Sequence, residues 1–146
     1  MNGGGAPGRP IDAALGLLAC PVCGHSLGRH DRVLRCANRH SFDLARQGYV
    51  NLLGTAPPAN ADTAQMLAAR DRFLGSGAYW PIRDAVVAVC TGAARVAEVG
   101  AGTGHYLAAV LAAHQRQAHL AIDVSTAAAK RTARQGLASV VADTWA

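Results

Sequence analysis

VAEVGAGTG, residues 96–104, decides the fold. Residues 95–99 have strand character, and the glycines at 100, 102 and 104 break the run before an apolar stretch of helical spacing at 106–114. A strand that passes through a glycine turn into a helix opens a parallel α/β unit. The alternation continues with strand character over 119–123, a helix over 126–135 and a strand over 139–142. A parallel sheet with helices packed on it is therefore expected at the C-terminal end.

A glycine-rich turn alone suits a dinucleotide or another nucleotide equally well. Three features favour S-adenosylmethionine (SAM). Glu98 stands two residues before Gly100, where a carboxylate repels a pyrophosphate but attracts a sulfonium and an ammonium. The spacing is GxGxG and not GxGxxG. Asp123 ends the second strand, 19 residues after Gly104, where an acid can accept hydrogen bonds from both ribose hydroxyls. Asp143 follows the third strand and could meet the adenine amino group. Helix capping is the other role open to both aspartates. This is the arrangement of class I, Rossmann-like, SAM-dependent methyltransferases. The candidate cofactor residues are Glu98, Gly100, Gly102, Gly104, His105, Tyr106, Asp123 and Asp143, with NAD or a nucleotide as the alternative ligand.

Upstream, Cys20-Pro-Val-Cys23, twelve residues, then Cys36-Ala-Asn-Arg-His40 gives C-x2-C-x12-C-x3-H. Two close pairs on tight turns can converge on one tetrahedral zinc, and four protein ligands leave no open position for catalysis. The expected metal is one structural zinc, whose binding energy replaces the core that about 40 residues cannot bury. His25 and His30 lie between the pairs and could compete with His40. Cys90 sits on the apolar face of a helical stretch and reads as a buried small hydrophobe.

The chain has 146 residues, a net charge of +5 and a hydrophobic fraction of 51%, enough for a packed core. The surplus charge leans forward: residues 1–60 hold six Arg and three Asp. That balance suits a nucleic-acid partner and equally a merely basic soluble domain. Nothing reads as an export signal or a membrane span, so a reducing cytoplasm is the expected location, where clustered cysteines hold metal and not disulfides. Residues 1–15 read as a disordered lead-in, 16–53 as the zinc-binding domain, 54–92 as linker and connecting helices, and 93–146 as the first part of a SAM-binding domain. Helical patterns fall at 63–76, with Asp62 or Thr63 as cap, and at 79–90.

With these residues in view, the chain resembles the RlmA- and TlrB-like 23S rRNA (guanine-N1)-methyltransferases, which include macrolide-resistance enzymes. The cysteine cluster runs into HSFDLARQGYVNLL, residues 40–53, a stretch that generic methyltransferases lack. Asp62-Thr, Met66, Ala-Arg70, FLGSG at 73–77 and YWPI at 79–82 resemble the connecting helices of that family. The resemblance runs from Cys20 to the last residue. It implies an α/β protein in which a small zinc-binding domain engages an rRNA hairpin and a SAM-dependent methyltransferase domain follows. It implies zinc on Cys20, Cys23, Cys36 and His40, and SAM along Glu98, Gly100, Gly102, Asp123 and Asp143. A homodimer or a separate C-terminal fragment are further possible partners.

The sheet of that class has more strands than the three legible here, so an incomplete sheet is expected, with Val86, Val89, Leu107 and Leu111 partly uncovered. No catalytic residue is identified. Tyr49, His105 and Tyr106 are candidate acceptors of the guanine N1 proton only by their nearness to motifs. The expectation is the front part of a methyltransferase that does not turn over alone. The competing reading is a non-catalytic zinc-ribbon remnant that binds RNA.

Overall fold

A computed structural model describes residues 8–114 and 118–145. It begins with a 3-10 helix at Pro10–Leu17, and three short antiparallel strands follow: β1 (Gly28–His30), β2 (Val33–Arg35) and β3 (Ser41–Asp43). Then come β4 (Val50–Asn51), α1 (Ala64–Gly75), α2 (Trp80–Val89), β5 (Arg95–Val99), α3 (His105–Ala113), β6 (Ala118–Asp123), α4 (Thr126–Arg134) and β7 (Ser139–Val141). The expected alternation at the C-terminal end is present, with boundaries within a residue or two. Thr63 caps α1, its hydroxyl accepting from the Met66 N–H at 3.2 Å, and Pro81 sits in the first turn of α2.

The second sheet is parallel and has the order β4-β7-β6-β5. It contains one strand more than the alternation showed. Val50 and Asn51 pair with Val140 and Val141, so a segment assigned to the zinc-binding domain forms an unexpected strand against the third strand of the α/β part. β7 is consequently an inner strand, and Ser139, Val140 and Val141 are fully buried. The edges are β4 and β5.

The lead-in expected over residues 1–15 is in part ordered structure. Residues 1–7 lie outside the described residues, but residues 10–15 are helical. Ile11 and Ala14 are completely buried in one core with Leu34, Val50, Leu120 and Val140. Asp12 accepts from the Arg9 amide at 2.8 Å and from Arg29 on β1 at 2.5 Å. The Arg29 guanidinium hydrogen-bonded to it holds the Asp12 carboxyl below its ordinary range. Arg29 is nearly buried, so removal of Asp12 would leave a charge without its partner. The zinc-binding segment and the parallel sheet thus share a core, and the segment is not a separate body.

Two further expectations change. Leu107 is buried in a second cluster with Ala101, Ala121 and Leu137, and is not partly uncovered as the incomplete sheet implies. Cys90 is half-buried. Val89 is exposed as expected, and further exposed apolar side chains lie on α1 at Met66 and Phe73, on α2 at Trp80 and Ile82, at Val99 on the end of β5 and at Trp145.

The glycine loop is tightest at Gly104, where φ is +73°. A Cβ there would stand 3.0 Å from Thr132, Gln135 and Leu137 side-chain atoms. Gly100 has φ +67° with nothing within 4 Å of a Cβ. Gly104→Ala should therefore lower stability by about 2 kcal/mol or more, from backbone strain plus overpacking, and Gly100→Ala by about 1 kcal/mol from strain alone. Chemical denaturation of the two variants checks the difference.

Candidate functional site

Two tight turns build the metal centre. In the first, the Cys20 N–H donates to His25 O and the Gly24 N–H to Cys20 O. In the second, the Cys36 N–H donates to His40 O and the Arg39 N–H to Cys36 O. Arg39 takes φ +66°, a left-handed conformation that the turn imposes on a residue with a Cβ. These turns bring Cys20, Cys23, Cys36 and His40 together, with all four donor atoms within 4.8 Å of one another. Cys23 and Cys36 Sγ are 3.6 Å apart, and His40 Nδ1 lies 3.5 Å from Cys36 Sγ and 3.6 Å from Cys20 Sγ. Ligands at zinc–thiolate and zinc–imidazole distances on a tetrahedron stand about 3.5–3.8 Å apart, so the donor set fits one zinc. Burial raises the Cys20 thiol, but the Val22 and Cys23 amides and its thiol neighbours outweigh that and bring it down to about 6. His25 turns instead to Cys23 O, at 3.2 Å.

The second candidate site lies where β5 and β6 end. Asp123 is the link between them. Its Oδ2 accepts from the Gly102 N–H at 2.8 Å, and its Oδ1 accepts from the Ser125 N–H at 2.8 Å. Each carboxylate oxygen keeps a lone pair for a further donor. Asp123 does not cap α4. Ser125 does so, its hydroxyl oxygen accepting from the Ala128 N–H at 3.1 Å. Beside Asp123 is a cleft of about 410 Å3 lined by Val99, Gly100, Ile122, Val124, Asp143 and Trp145, among others. That volume lies within the range of small-molecule sites. Asp143 is exposed there and accepts from the Trp145 N–H at 2.9 Å.

Glu98 faces the helix side of the loop. Its Oε2 accepts from the Leu107 N–H at 3.0 Å, so it satisfies an amide at the start of α3, whose cap residue Gly104 has no side chain. Burial pushes its carboxyl up to about 7 against that amide, and the Asp123 charge adds to the rise. His105 and Tyr106 open α3 with their rings edge to face at 5.1 Å, and His105 Nε2 is buried without a hydrogen-bond partner. Tyr49 is in the turn before β4, where its carbonyl accepts from the Ala45 N–H.

Two residues that sequence reasoning did not assign belong to this site. Ser125 Oγ donates to Asp62 O at 2.5 Å, tying the approach to α1 to the start of α4. Arg70 on α1 then reaches back over Gly102. No local pattern signals either contact, because the partners lie more than thirty residues apart.

Cys36→Ser should reduce zinc well below one equivalent and loosen residues 16–53, and Cys90→Ser should leave zinc unchanged. Metal analysis of protein purified without chelator measures both. Glu98 carries a prediction of its own. Its folded value lies above the ordinary 4.5, so its stabilising contribution is complete below about 4.5 and is lost as pH rises through about 7. Glu98→Gln should flatten that fall in thermal melts between about pH 5 and pH 8.

Residues 18–57 match the family described as the RlmA N-terminal zinc ribbon. A Streptomyces fradiae protein named 23S rRNA (guanine(748)-N(1))-methyltransferase is 43% identical over 88% of this chain and 49% of its own length. A Micromonospora griseorubida protein, named as a candidate 23S rRNA (guanine-N(1)-)-methyltransferase, is 44% identical over 88% of this chain and 52% of its own. A Bacillus subtilis protein with a similar name is 33% identical over 70% of this chain. Among the described residues no helix is long and apolar enough to cross a membrane. Over most of its residues the chain is thus homologous to the 23S rRNA (guanine-N1)-methyltransferases, and it spans about half the length of those relatives.

Proposed function

We propose that the chain binds SAM along its glycine loop and serves methyl transfer to guanine N1 of 23S rRNA, with the zinc ribbon helping to engage an rRNA hairpin. The observation that carries this reading is the Asp123 carboxylate, fixed by two amides at the mouth of an open cleft with lone pairs to spare. Those lone pairs suit the two ribose hydroxyls. The bare Gly100 lets a ligand approach the backbone, and Val99, Ile122 and Trp145 offer apolar walls for the adenine, with Asp143 toward its amino group. Glu98, half-buried on the inner side of the loop with its carboxyl raised to about 7, ionises most readily beside a cation, so a sulfonium or ammonium suits it better than a pyrophosphate. SAM, when bound, would supply an electrophilic methyl carbon for in-line attack by guanine N1, with the thioether sulfur of S-adenosylhomocysteine leaving with the C–S electron pair and the N1 proton passing to a base. The chain's part is to hold cofactor and base at reacting distance.

A second cleft of about 570 Å3 between α1 and α4 is lined by Leu67, Lys130, Arg131 and Arg134. Arg131 pairs with Asp71 at 2.5 Å. The remaining cationic lining suits RNA phosphates. A joint Lys130→Ala, Arg134→Ala variant should weaken binding of an rRNA hairpin and reduce the salt slope of log K by roughly 1–2.

A second reading has an observation in its favour. β5 is an edge strand, and Val99 at its end is exposed. With that flank open, the chain would bind RNA as a non-catalytic zinc-ribbon protein. A tritiated-SAM assay on unmethylated 23S rRNA separates the two. Incorporation at guanine N1 supports the first reading, and RNA binding without incorporation supports the second. Asp123→Ala should weaken SAM binding by about tenfold or more, as measured by calorimetry.

A further inference from the structure

Arg70 approaches the glycine loop from outside the strand–turn–helix unit that supplies the other cofactor residues. It sits two turns into α1, and its guanidinium donates to the Asp62 carboxylate. Asp62 is itself anchored, because its carbonyl accepts from Ser125 Oγ, and the Ser125 amide donates to Asp123. Asp123 in turn holds the Gly102 amide. The ring of contacts closes at Gly102. A Cβ there would stand 3.3 Å from Arg70 Nη1, and φ is +52°. The guanidinium therefore lies directly over the backbone of the loop.

The ion pair alone does not account for this placement. Arg70 is about half exposed, with 47% of its side chain accessible. A pair that open to water contributes about 1 kcal/mol at most. A guanidinium has five N–H donors, and Asp62 engages only its two terminal nitrogens. The others can serve a second anion. Glu98 lies on the α3 side of the same loop, where its carboxyl accepts from the Leu107 amide and would ionise fully beside an ammonium. The loop is thus flanked by one carboxylate and one guanidinium, which is the complement of a free amino acid with its ammonium and carboxylate.

We propose that Arg70 receives the α-carboxylate of the methionine moiety of SAM, with Asp62 as the residue that positions it. This rests on the cofactor reading above. It assigns the amino-acid end of the ligand to α1, which precedes the α/β unit in sequence. 5′-Methylthioadenosine, which has neither that moiety nor a phosphate, would gain nothing from Arg70.

Calorimetry with two ligands tests it. S-adenosylhomocysteine carries the amino and carboxylate groups, and 5′-methylthioadenosine lacks both. Arg70→Gln should weaken S-adenosylhomocysteine about tenfold or more and leave methylthioadenosine within about twofold. Arg70→Lys should fall between, since a point charge replaces a bidentate fork. Unchanged methylthioadenosine binding also shows that the variant is folded. Equal loss of both ligands, or loss of neither, overturns the assignment to Arg70 and leaves the cofactor reading standing. Failure of the wild-type chain to bind either ligand overturns the cofactor reading and this inference with it.

Discussion

The carboxylate of Asp123 is the constraint on which the candidate cofactor site depends. It sits at the end of β6, on a strand fixed between two others, and uses one oxygen for the glycine loop and one for the start of α4. The loop cannot hold its shape through side chains, because its turning residues have none. Gly100, Gly102 and Gly104 all take positive φ, and the charged acceptor at Asp123 fixes the middle one. Ser125 and Asp62 extend the same chain of bonds to α1. A site formed by three sequence segments thus has one anchored group at its centre.

The metal centre and this site are coupled through packing. The core around Leu34 of the ribbon continues through Ile11, Val50 and Val140 into the parallel sheet. β4 leaves the ribbon and pairs with β7, so the ribbon's last strand is part of the sheet's edge. Zinc replaces a hydrophobic core that the ribbon is too short to make by itself. Its four ligands therefore fix the platform against which β6 and β7 pack. Loss of metal should be felt beyond the ligands, in the burial of Leu120 and Val140.

Much of this was legible in the sequence because it is local. The C-x2-C and C-x3-H pairs each occupy one turn, and their four donors converge as spacing requires. The glycine loop, the alternation after residue 95 and the Thr63 cap are likewise fixed by neighbours in the chain. What escaped depends on distant partners. The Gly- and Pro-rich start hides Ile11 and Ala14, whose helix is held by Arg29 and by the sheet. Val50 and Asn51 are too short a run to read as a strand until Val140 and Val141 pair with them. Leu107 is buried because Ala101, Ala121 and Leu137 close over it, which periodicity in one helix does not reveal. Arg70 read as a residue of a connecting helix, and only the fold sets it over Gly102.

The central claim is that the loop between β5 and α3 is built for a cationic, sulfonium-bearing ligand and not for a pyrophosphate. Glu98, half-buried and with a carboxyl raised by desolvation, is the residue that separates these two chemistries. The most direct measurement is parallel calorimetric titration of the wild-type chain with SAM and with NAD. The account predicts that SAM binds at least about tenfold more tightly than NAD. Equal affinity, or tighter binding of NAD, would contradict it.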